Sequence, residues 1–536
     1  MNAFKKKSLC LAIAAGLGAV GMAGTASAVN INSNGLGSAL IYPYFTTRVD
    51  GTNQYNTYIS VVNTRNEFKA VKVRVLEGRN SREVLDFNLY LSPFDVWTAA
   101  LTPAKTINGV APVPGQALGG RLVTNDRSCT QPMASSNVVA GEDGIGWNFS
   151  NVAFTGPVVA GPQTGAYGLD GVTGSDSLDR SREGYVEIIE MGVVTSAALQ
   201  SAIRHNAQGF PSNCLLLQLP LYTGQDGNGG QRPGSPNPVA PPTGGLSGTG
   251  TLIQPQNGFT AGYDAVALAS FSNLNIWTDP GNPLPNLTQV SPATSVVFKG
   301  GAAITSNWTA GTADAVSAVL MHDSLVNEIV LDSGSQSNTD WVITMPTKRH
   351  YVPVQPTTGT VFPVVPPFTS KFWITGTSPA WTGGACENVT QTWWDREEQT
   401  PTSPPPTLVP SPQPITAAPQ PNALCWETTV INFIKPSITP ANTSVLQSSN
   451  LLTLQTAFQT FDAGWMKLSF TQPGQAMTSL GATASTYIGL PVLGLKVNTF
   501  INRNVAGSRY GVGHAHVYTT NISGAGVPVG VSAIAD

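Results

Sequence analysis

The chain has 536 residues, of which only 11% are charged, and it contains 55 glycines and 41 prolines. Ordinary globular proteins carry roughly 25% charged residues, so neutral polar side chains must cover much of this surface. The formal net charge of −3 argues against nucleic acid as a partner, because a phosphate backbone is bound by clustered lysines and arginines. Hydrophobic residues make up 41% of the chain, which excludes a disordered protein of low hydrophobicity and high net charge. The length is enough for about two to four domains.

The first 28 residues have the pattern of a signal peptide. A basic start (Lys5 to Lys7) precedes a short apolar run (Leu9 to Met22), and Ala26-Ser27-Ala28 matches the small-x-small cleavage pattern. The apolar run is too short to span a bilayer. We therefore expect residues 1–28 to be removed and Val29 to be the mature N-terminus. The chain is predicted to be exported to the cell surface, the outer membrane or the medium, with the periplasm as the alternative.

Four cysteines remain after this cleavage, namely Cys129, Cys214, Cys386 and Cys425. An even number in an exported protein predicts two disulfides. Three pairings are possible, and we favour the sequential one because the proline-rich residues between Cys386 and Cys425 need their ends held together. The spacings are too long for a zinc ribbon.

The fold class that the patterns predict is mostly β. Residues 29–122 contain short strands separated by turns, which is typical of an immunoglobulin-like sandwich. Within them, Val71, Val73 and Val75 alternate with Lys72 and Arg74, which predicts a strand with one face in water.

The remainder, 123–536, is predicted to be a larger β-rich region with a few short helices and long Gly/Pro loops, including inserts near 224–250 and 397–422. A strand is expected over Glu183–Gly192, and a helix capped by Thr195 or Ser196 is expected to run to about Gln208. We also expect short strands over 215–219 and 317–321. Leu325, Val326, Ile329 and Val330 fit one face of a short helix that begins near Asp323.

The stretch with the clearest structural pattern runs from Asn338 to Val352. It begins as a β-strand around Trp341, and Pro346 must end that strand because proline removes a backbone donor. The cations Lys348, Arg349 and His350 follow. We expect Trp341 to be buried and the cations to be exposed, either as a solvated corner or as a contact site for an anion or a partner.

Four segments together resemble a group of exported proteins of Gram-negative bacteria, some described as cell-surface or surface-layer proteins. They are Glu183–Gly192, Val319–Asp323, Thr339–Val352 with its Thr-Asp-Trp-Val and Pro-Thr-Lys-Arg pieces, and Gly489–Val492. The resemblance implies export to the cell surface, and it brings no catalytic residues.

Motifs for common chemistries are missing from the sequence. It contains no Gly-x-Ser-x-Gly pentad, Walker loop, His-Glu-x-x-His helix or EF-hand loop. His514 and His516 would share one face of a strand and could offer two metal ligands, although no third ligand is evident. Glu187 and Glu190 would face opposite sides of a strand, so we interpret them as solvated or ion-paired edge residues and not as an acid–base pair.

Three tryptophans, Trp381, Trp393 and Trp394, lie near Cys386. They could form a platform for stacking carbohydrate or pack beneath the proline-rich insert. No catalytic, cofactor-binding or metal-binding residue is predicted.

The sequence favours an exported cell-envelope protein with a structural or adhesive role, resembling a surface-layer component and lacking enzyme activity. Self-association or contact with envelope polysaccharide and the outer membrane surface is the expected kind of partnership. The alternatives are a receptor for a glycan or a hydrophobic substrate, and an exported enzyme whose site is assembled from scattered residues.

Overall fold

The computed structural model describes most of the chain after the predicted signal peptide. The described residues are 28–50, 53–106, 118–132, 145–154, 178–218, 239–355, 362–372, 385–398, 409–410, 423–435, 443–455 and 462–524. Residues 1–27, most of the insert at 397–422 and residues 224–238 of the other insert lie outside them. The structure is 51% strand and 6% helix, so the predicted mostly-β class is confirmed.

The first sandwich is built from strands of the N-terminal half, numbered here in chain order. They are β1 (Asn30–Ile31), β2 (Ala39–Thr46), β3 (Val49–Asp50), β4 (Asn53–Gln54), β5 (Asn56–Asn63), β6 (Lys69–Glu77), β7 (Glu83–Leu91), β8 (Val96–Pro103), β9 (Gly120–Thr124), β10 (Thr130–Gln131), β11 (Ile145–Asn148), β12 (Glu183–Val194), β13 (Val239–Ala240), β14 (Leu246–Gln254), β15 (Phe259–Asp264) and β16 (Val266–Ala269).

All but β3 and β4, which pair only with each other, form two sheets that pack face to face. One sheet has the order β1-β16-β2-β12-β6-β7-β10, with β13 paired to β12, and the other has the order β11-β9-β8-β5-β14-β15. Alternate side chains of both sheets, including Val73, Ile188, Ile59 and Trp97, meet in one apolar core. This arrangement is a β-sandwich, because each sheet buries one face against the other.

The predicted boundary at residue 122 does not separate a unit of the fold. The long strand β12 lies between β2 and β6 in the middle of the first sheet. Likewise, β14 pairs with β5 in the second sheet. The sandwich therefore needs residues up to 269, because its central strands come from beyond residue 122.

The face of β6 that we predicted to be wet is buried. Lys72 is 0% exposed and Arg74 is 4% exposed, and each forms an ion pair with an acidic residue of a neighbouring strand. Apolar residues of this outer face of the sheet, such as Tyr185 and Ile189 of β12, pack against residues 315–321 in a second core.

The rest of the chain adds further strands and two short α-helices. The strands are β17 (Thr294–Lys299), β18 (Ala302–Asn307), β19 (Met321–His322), β20 (Ser324–Val330), β21 (Asn338–Thr344), β22 (Glu387–Asn388), β23 (Thr390–Asp395), β24 (Val409–Pro410), β25 (Ala423–Leu424), β26 (Thr428–Ile434), β27 (Leu451–Gln455), β28 (Ala463–Ser469), β29 (Ala476–Thr478), β30 (Ser485–Ile488), β31 (Leu490–Pro491), β32 (Leu493–Ile501), β33 (Arg509–Ala515), β34 (Val517–Thr519) and β35 (Asn521–Gly524). The helices are α1 (Ala197–Ile203) and α2 (Asp314–Val319), and 3-10 turns cover Asp179–Arg182, Cys214–Gln218 and Lys348–His350.

A second sandwich is formed by a sheet of order β24-β27-β26-β21-β32-β33 and a sheet of order β23-β28-β20-β34. Strand β21 is central in the larger sheet, and its Trp341 is 0% exposed. Trp341 packs edge-on against Phe433, with ring centroids 5.2 Å apart, in the core between the two sheets. The prediction that Trp341 is buried is confirmed.

The two sandwiches pack on each other. The other face of the larger sheet, through Val342 and Val497, shares an apolar cluster with Tyr44, Tyr55 and Phe259 of the first sandwich. In addition, the Thr344 hydroxyl donates to the carbonyl of Pro43 in β2, at 2.7 Å. Strand β21 is therefore buried on both sides, which explains why the apolar residues Trp341, Val342 and Ile343 follow one another with no polar residue between them.

Three local predictions turn out differently. The segment from Asp323 is strand β20 and not a helix, residues 317–321 lie mostly in helix α2 and not in a strand, and residues 215–218 form a 3-10 turn. The helix at Ser196 is confirmed: the Ser196 side chain accepts a bond from the Leu199 amide, and α1 ends at Ile203, before the predicted residue 208.

Candidate functional site

The predicted cationic corner lies inside the protein, where the two sandwiches meet. Lys348 is 1% exposed, and its ammonium donates to the Ala385 carbonyl at 2.6 Å. Arg349 is half-buried and donates to the Ser81 carbonyl at 2.8 Å, so only His350 has an exposed side chain. The prediction of an exposed corner is wrong for Lys348, because the turn that follows Pro346 packs against a loop of the first sandwich.

That loop, residues 77–82, forms a hydroxyl relay with the second sandwich. The Ser81 hydroxyl donates to the Glu427 carboxylate at 2.5 Å and accepts from the Tyr185 hydroxyl at 2.8 Å. The Tyr185 hydroxyl also lies 3.2 Å from the Pro346 carbonyl. Backbone bonds extend the contact, because the amide of Thr428 donates to the Gly78 carbonyl at 2.7 Å. We call this region, comprising residues 77–82, Tyr185, 346–349 and 427–428, the junction.

Burial changes the pKa values of the ionisable side chains in the junction. It raises the pKa of Glu427 to about 7, although Lys348 and the Ser81 hydroxyl act in the opposite direction. It lowers the pKa of Lys348, against the attraction of Glu387 and Glu427. An ammonium and a carboxylate that have both lost their water depend on each other for stabilisation.

Glu77 fixes the shape of the junction loop. Its carboxylate is fully buried, and it accepts bonds from the backbone amides of Arg79, Asn80 and Arg82 at 2.8 to 3.0 Å. The guanidinium of Arg180 binds the same carboxylate through Nε at 2.6 Å and Nη2 at 2.8 Å. This carboxylate therefore holds a tight turn in which Ser81 adopts a positive φ of 48°.

The acidic strand β12 supplies further buried ion pairs. Glu187 contacts Arg74 at 2.5 Å and Glu190 contacts Lys69 at 2.6 Å. At its start, Glu183 contacts Arg48 at 2.8 Å and accepts bonds from Ser448 and Ser449 of the second sandwich. Burial opposes ionisation of Glu183, but Arg48 and the two serines hold its pKa below the usual value. Glu187 and Glu190 are ion-paired as one interpretation held, yet they lie on a central strand and not at an edge.

The two histidines proposed as metal ligands point to different environments. His516 is 4% exposed, its ring packs 5.2 Å from that of Trp341, and its Nε2 lies 3.1 Å from the Val342 carbonyl. His514 is exposed. The strand is interrupted between them, since β33 ends at Ala515, so the i, i+2 rule for a shared face fails. Within the described ranges, no cluster of three His, Cys, Asp or Glu residues is placed to hold a metal ion.

Both disulfides follow the sequential pairing, Cys129–Cys214 and Cys386–Cys425. The second one joins the two segments that surround Lys348, because Ala385 and Glu427 flank its cysteines. Of the proline-rich insert between these cysteines, only Glu397, Glu398 and the short strand β24 belong to the described residues. Two disulfides indicate an oxidising compartment.

Tryptophans near the second disulfide divide into a core residue and a stacked pair of which one member is half-buried and the other exposed. Trp393 is 3% exposed and belongs to the core of the second sandwich. Trp394 instead stacks on Trp465 of β28, with ring centroids 3.9 Å apart and planes inclined by 12°. Trp381 lies outside the part of the chain that the structure describes.

Chemically, the junction has the residue types of a hydrolytic site but not the access. Ser81, Glu427 and Lys348 are each at most 2% exposed, so a substrate cannot reach the hydroxyl. Sequence reasoning singled out Lys348 and Arg349 but missed Ser81, Tyr185 and Glu427, because these members lie far away along the chain. The alternation of Lys72 and Arg74 with valines was a signal for the separate buried ion pairs with Asp86 and Glu187, since cations on a face that is not in water require acidic partners.

No protein-family model, no curated protein and no solved structure matches this chain. None of the helices in the described ranges combines the length and the apolar character that a membrane crossing requires. The resemblance to surface-layer-like proteins accordingly stays a prediction.

Proposed function

We propose that this protein is an exported component of the cell envelope with a structural or adhesive role, similar to a surface-layer component and without enzyme activity. The observation that carries the proposal is the junction, whose ionisable and hydroxyl side chains are buried and bonded between the sandwiches instead of lining a cleft. The two disulfides add cross-links that suit an oxidising environment. A protein whose two sandwiches are joined in this way is suited to bear mechanical load or to present a binding surface.

Electron microscopy of isolated envelopes tests this role. Envelopes from a strain with the protein should carry continuous surface material that is missing from a strain without it, and complementation should restore it. Identical envelopes in both strains, with the protein recovered only in the medium, would contradict the envelope role. Turnover of an envelope substrate by the purified protein would favour the enzyme alternative instead.

A second candidate function, a glycan receptor, is favoured by the stacked pair Trp394 and Trp465. Trp465 is 37% exposed and Trp394 is half-buried, so the exposed part of the Trp465 indole could stack against a pyranose ring. Thr392 and Lys467 lie two residues away on the same two strands and project from the same face. They would supply hydrogen bonds to sugar hydroxyls.

Affinity electrophoresis in gels containing envelope polysaccharide tests the receptor function. Retardation of the wild-type protein should be lost in Trp465→Ala and kept in Tyr510→Ala, which removes another exposed aromatic, 57% exposed. Equal retardation of both variants would contradict a role for the tryptophan pair.

A further inference from the structure

Four segments converge at one end of the first sandwich. The Phe94 amide donates to the Arg65 carbonyl at 3.1 Å, and Asp95 lies 3.7 Å from His205. The Cys129–Cys214 disulfide attaches the segment after α1 to the segment after β9. We call this surface, made of residues 64–66, 92–96, 125–128 and 204–215, the loop end.

The loop end exposes large apolar side chains. Phe94 is 66% exposed, Leu215 is 64% exposed, and Val96 and Phe210 are each 49% exposed. Single exposed apolar residues are ordinary, but a group on one surface marks an interaction site. Phe94 also has a φ of +59°, a conformation that is rare and costly for a bulky residue. A phenylalanine held in this way at an exposed turn does not serve the packing of the fold.

The exposed charges around these residues are cationic. Arg65, Arg127 and Arg204 are exposed, and the Arg204 guanidinium is held over the Phe68 ring at 4.8 Å. Among the residues that the structure describes, the acidic ones of the same region are half-buried and bonded internally: Glu67 to Lys69, Asp95 to the Ser92 amide, and Asp126 to Ser128. The loop end therefore presents positive charge around an apolar centre, although the whole chain is slightly acidic.

We propose that the loop end docks on an anionic lipid surface. Phe94, Phe210 and Leu215 would enter the boundary between head groups and acyl chains, and the three arginines would contact lipid phosphates. A second copy of this chain is a poorer occupant, because two cationic ends repel each other. A soluble polyanion would engage the arginines but leave the aromatic side chains in water. The inference names a partner for the envelope role proposed above and rests on it.

Co-sedimentation of the purified protein with vesicles tests the docking. We expect binding to phosphatidylcholine vesicles that contain phosphatidylglycerol, weak binding to phosphatidylcholine alone, and loss of binding at high salt. Arg65→Gln, Arg127→Gln and Arg204→Gln should each lower the partition coefficient by about fivefold. Phe94→Gly is the most informative change, because glycine accepts the positive φ, so binding should fall while the unfolding midpoint does not. Phe298→Ser, at a side chain that is 66% exposed on the β17–β18 hairpin, is the matched control and should bind like wild type.

Three results would overturn the proposal. The first is absence of binding to anionic vesicles, and the second is an equal loss of vesicle binding in Phe94→Gly and Phe298→Ser. The third is that the protein sediments without vesicles and that the same substitutions abolish this sedimentation, which would identify self-association. Binding that is equal on neutral and anionic vesicles would refute the role of the arginines. These vesicle results do not depend on envelope microscopy, so the two proposals can fail separately. If surface material persists in a strain carrying Phe94→Gly, the structural role stands and the loop end is not needed as its anchor.

Discussion

Lys348 is the residue for which the difference between the predicted and the observed environment has the largest consequence. A solvated lysine can be replaced with little effect, usually within about 0.5 kcal/mol. A lysine that is 1% exposed beside a carboxylate that is 2% exposed is different, because its removal leaves a buried acid without its cation. The pair therefore belongs to the stability of the protein and not to its surface chemistry.

We expect Lys348→Ala to lower the free energy of unfolding by about 3 to 5 kcal/mol, because it leaves the buried carboxylates of Glu387 and Glu427 without the cation that attracts both. Lys348→Met combined with Glu427→Gln should cost less, because Glu427 then carries no charge and the remaining carboxylate, Glu387, keeps its bonds from the Thr369 and Ser370 amides. Urea unfolding of the single and double variants measures the difference. A loss below about 1 kcal/mol in Lys348→Ala would mean that this cation is solvated after all.

Asp340 is a second buried acid, and it has no cation bonded to it among the described contacts. It accepts bonds from the Leu446 amide at 2.8 Å, from the Ser444 hydroxyl at 2.7 Å and from the Asn432 side chain at 3.1 Å. Burial nevertheless raises its pKa from 3.8 to about 6. The folded state therefore binds this proton more tightly than the unfolded state does.

The sign of the pH dependence follows from that difference. The stability due to protonated Asp340 is fully present below pH 3.8 and is lost as the pH rises to about 6, an effect of at most about 3 kcal/mol. Asp340→Asn should flatten the fall in unfolding free energy over this window, while the contribution of Glu427, which titrates near pH 7, remains. Parallel pH profiles for wild type and Asp340→Asn would show that Asp340 titrates normally.

At the scale of elements, two edge strands cover each other where the sandwiches meet. Strand β33 is the edge of the larger C-terminal sheet, and β15 is the edge of an N-terminal sheet. A Cβ on Gly513 would lie 2.5 Å from the Gly262 carbonyl oxygen, and one on Gly511 would lie 2.6 Å from the Thr260 oxygen. Such distances show that the two backbones approach as closely as only glycine permits.

Gly513→Ala should therefore destabilise the protein by about 1 to 3 kcal/mol, as overpacking in a close contact usually does. Gly262→Ala is a matched control on the opposite strand, because the nearest atom to its added Cβ is 3.9 Å away. Thermal unfolding of the two variants is the measurement. Equal midpoints would show that β33 and β15 are not in close contact in solution.

An element can be predicted from the sequence when its signals are local, and it cannot when its structure depends on strands that are distant in sequence. Strand β12 and the cap at Ser196 were predictable, because strand propensity and a capping hydroxyl are local signals. Strand β20 was not, since Leu325, Val326, Ile329 and Val330 fit a helix face equally well. Pairing with β28 and β34 decides in favour of a strand, and neither partner is near in sequence.

The candidate site was less predictable than the strands. The cationic cluster at Lys348 is visible in the sequence, but whether Lys348 faces the solvent or the interior depends on residues 77–82 and Glu427, which pack around it. The disulfides were predictable from an even count and from the insert they enclose. The loop end carries no motif, because its arginines and aromatics come from four separate segments and only the fold brings them together.

For the whole molecule, the shared cores make the two sandwiches depend on each other. Val342 and Val497 of the second sandwich pack with Tyr44 and Phe259 of the first. The Tyr185 hydroxyl of the first sandwich forms hydrogen bonds with the Ser81 hydroxyl and the Pro346 carbonyl in the junction. A separately expressed segment of residues 29–122 lacks the central strand β12 as well as β14, and the edges of β2, β6 and β5 that pair with these strands would be left without partners.

We therefore expect residues 29–122 alone to show no cooperative unfolding transition by circular dichroism. The chain from residue 29 onwards should unfold in one transition that fluorescence and circular dichroism both follow. A cooperative transition in the isolated segment would restore the domain boundary at residue 122.

The position of Val29 has a consequence for the order in which the protein is built. Its amide donates to the Thr294 carbonyl and its carbonyl accepts from the Val296 amide, both at 2.9 Å, while β2 is flanked by β12 and β16. A chain delivered N-terminus first must hold its earliest strands without their partners until nearly 300 residues have arrived. Loops of this length close slowly, and unpaired strands aggregate in the meantime. The first residues to emerge are thus among the last to find their place, so a strand-binding chaperone is needed more by the early half of the chain than by the late half.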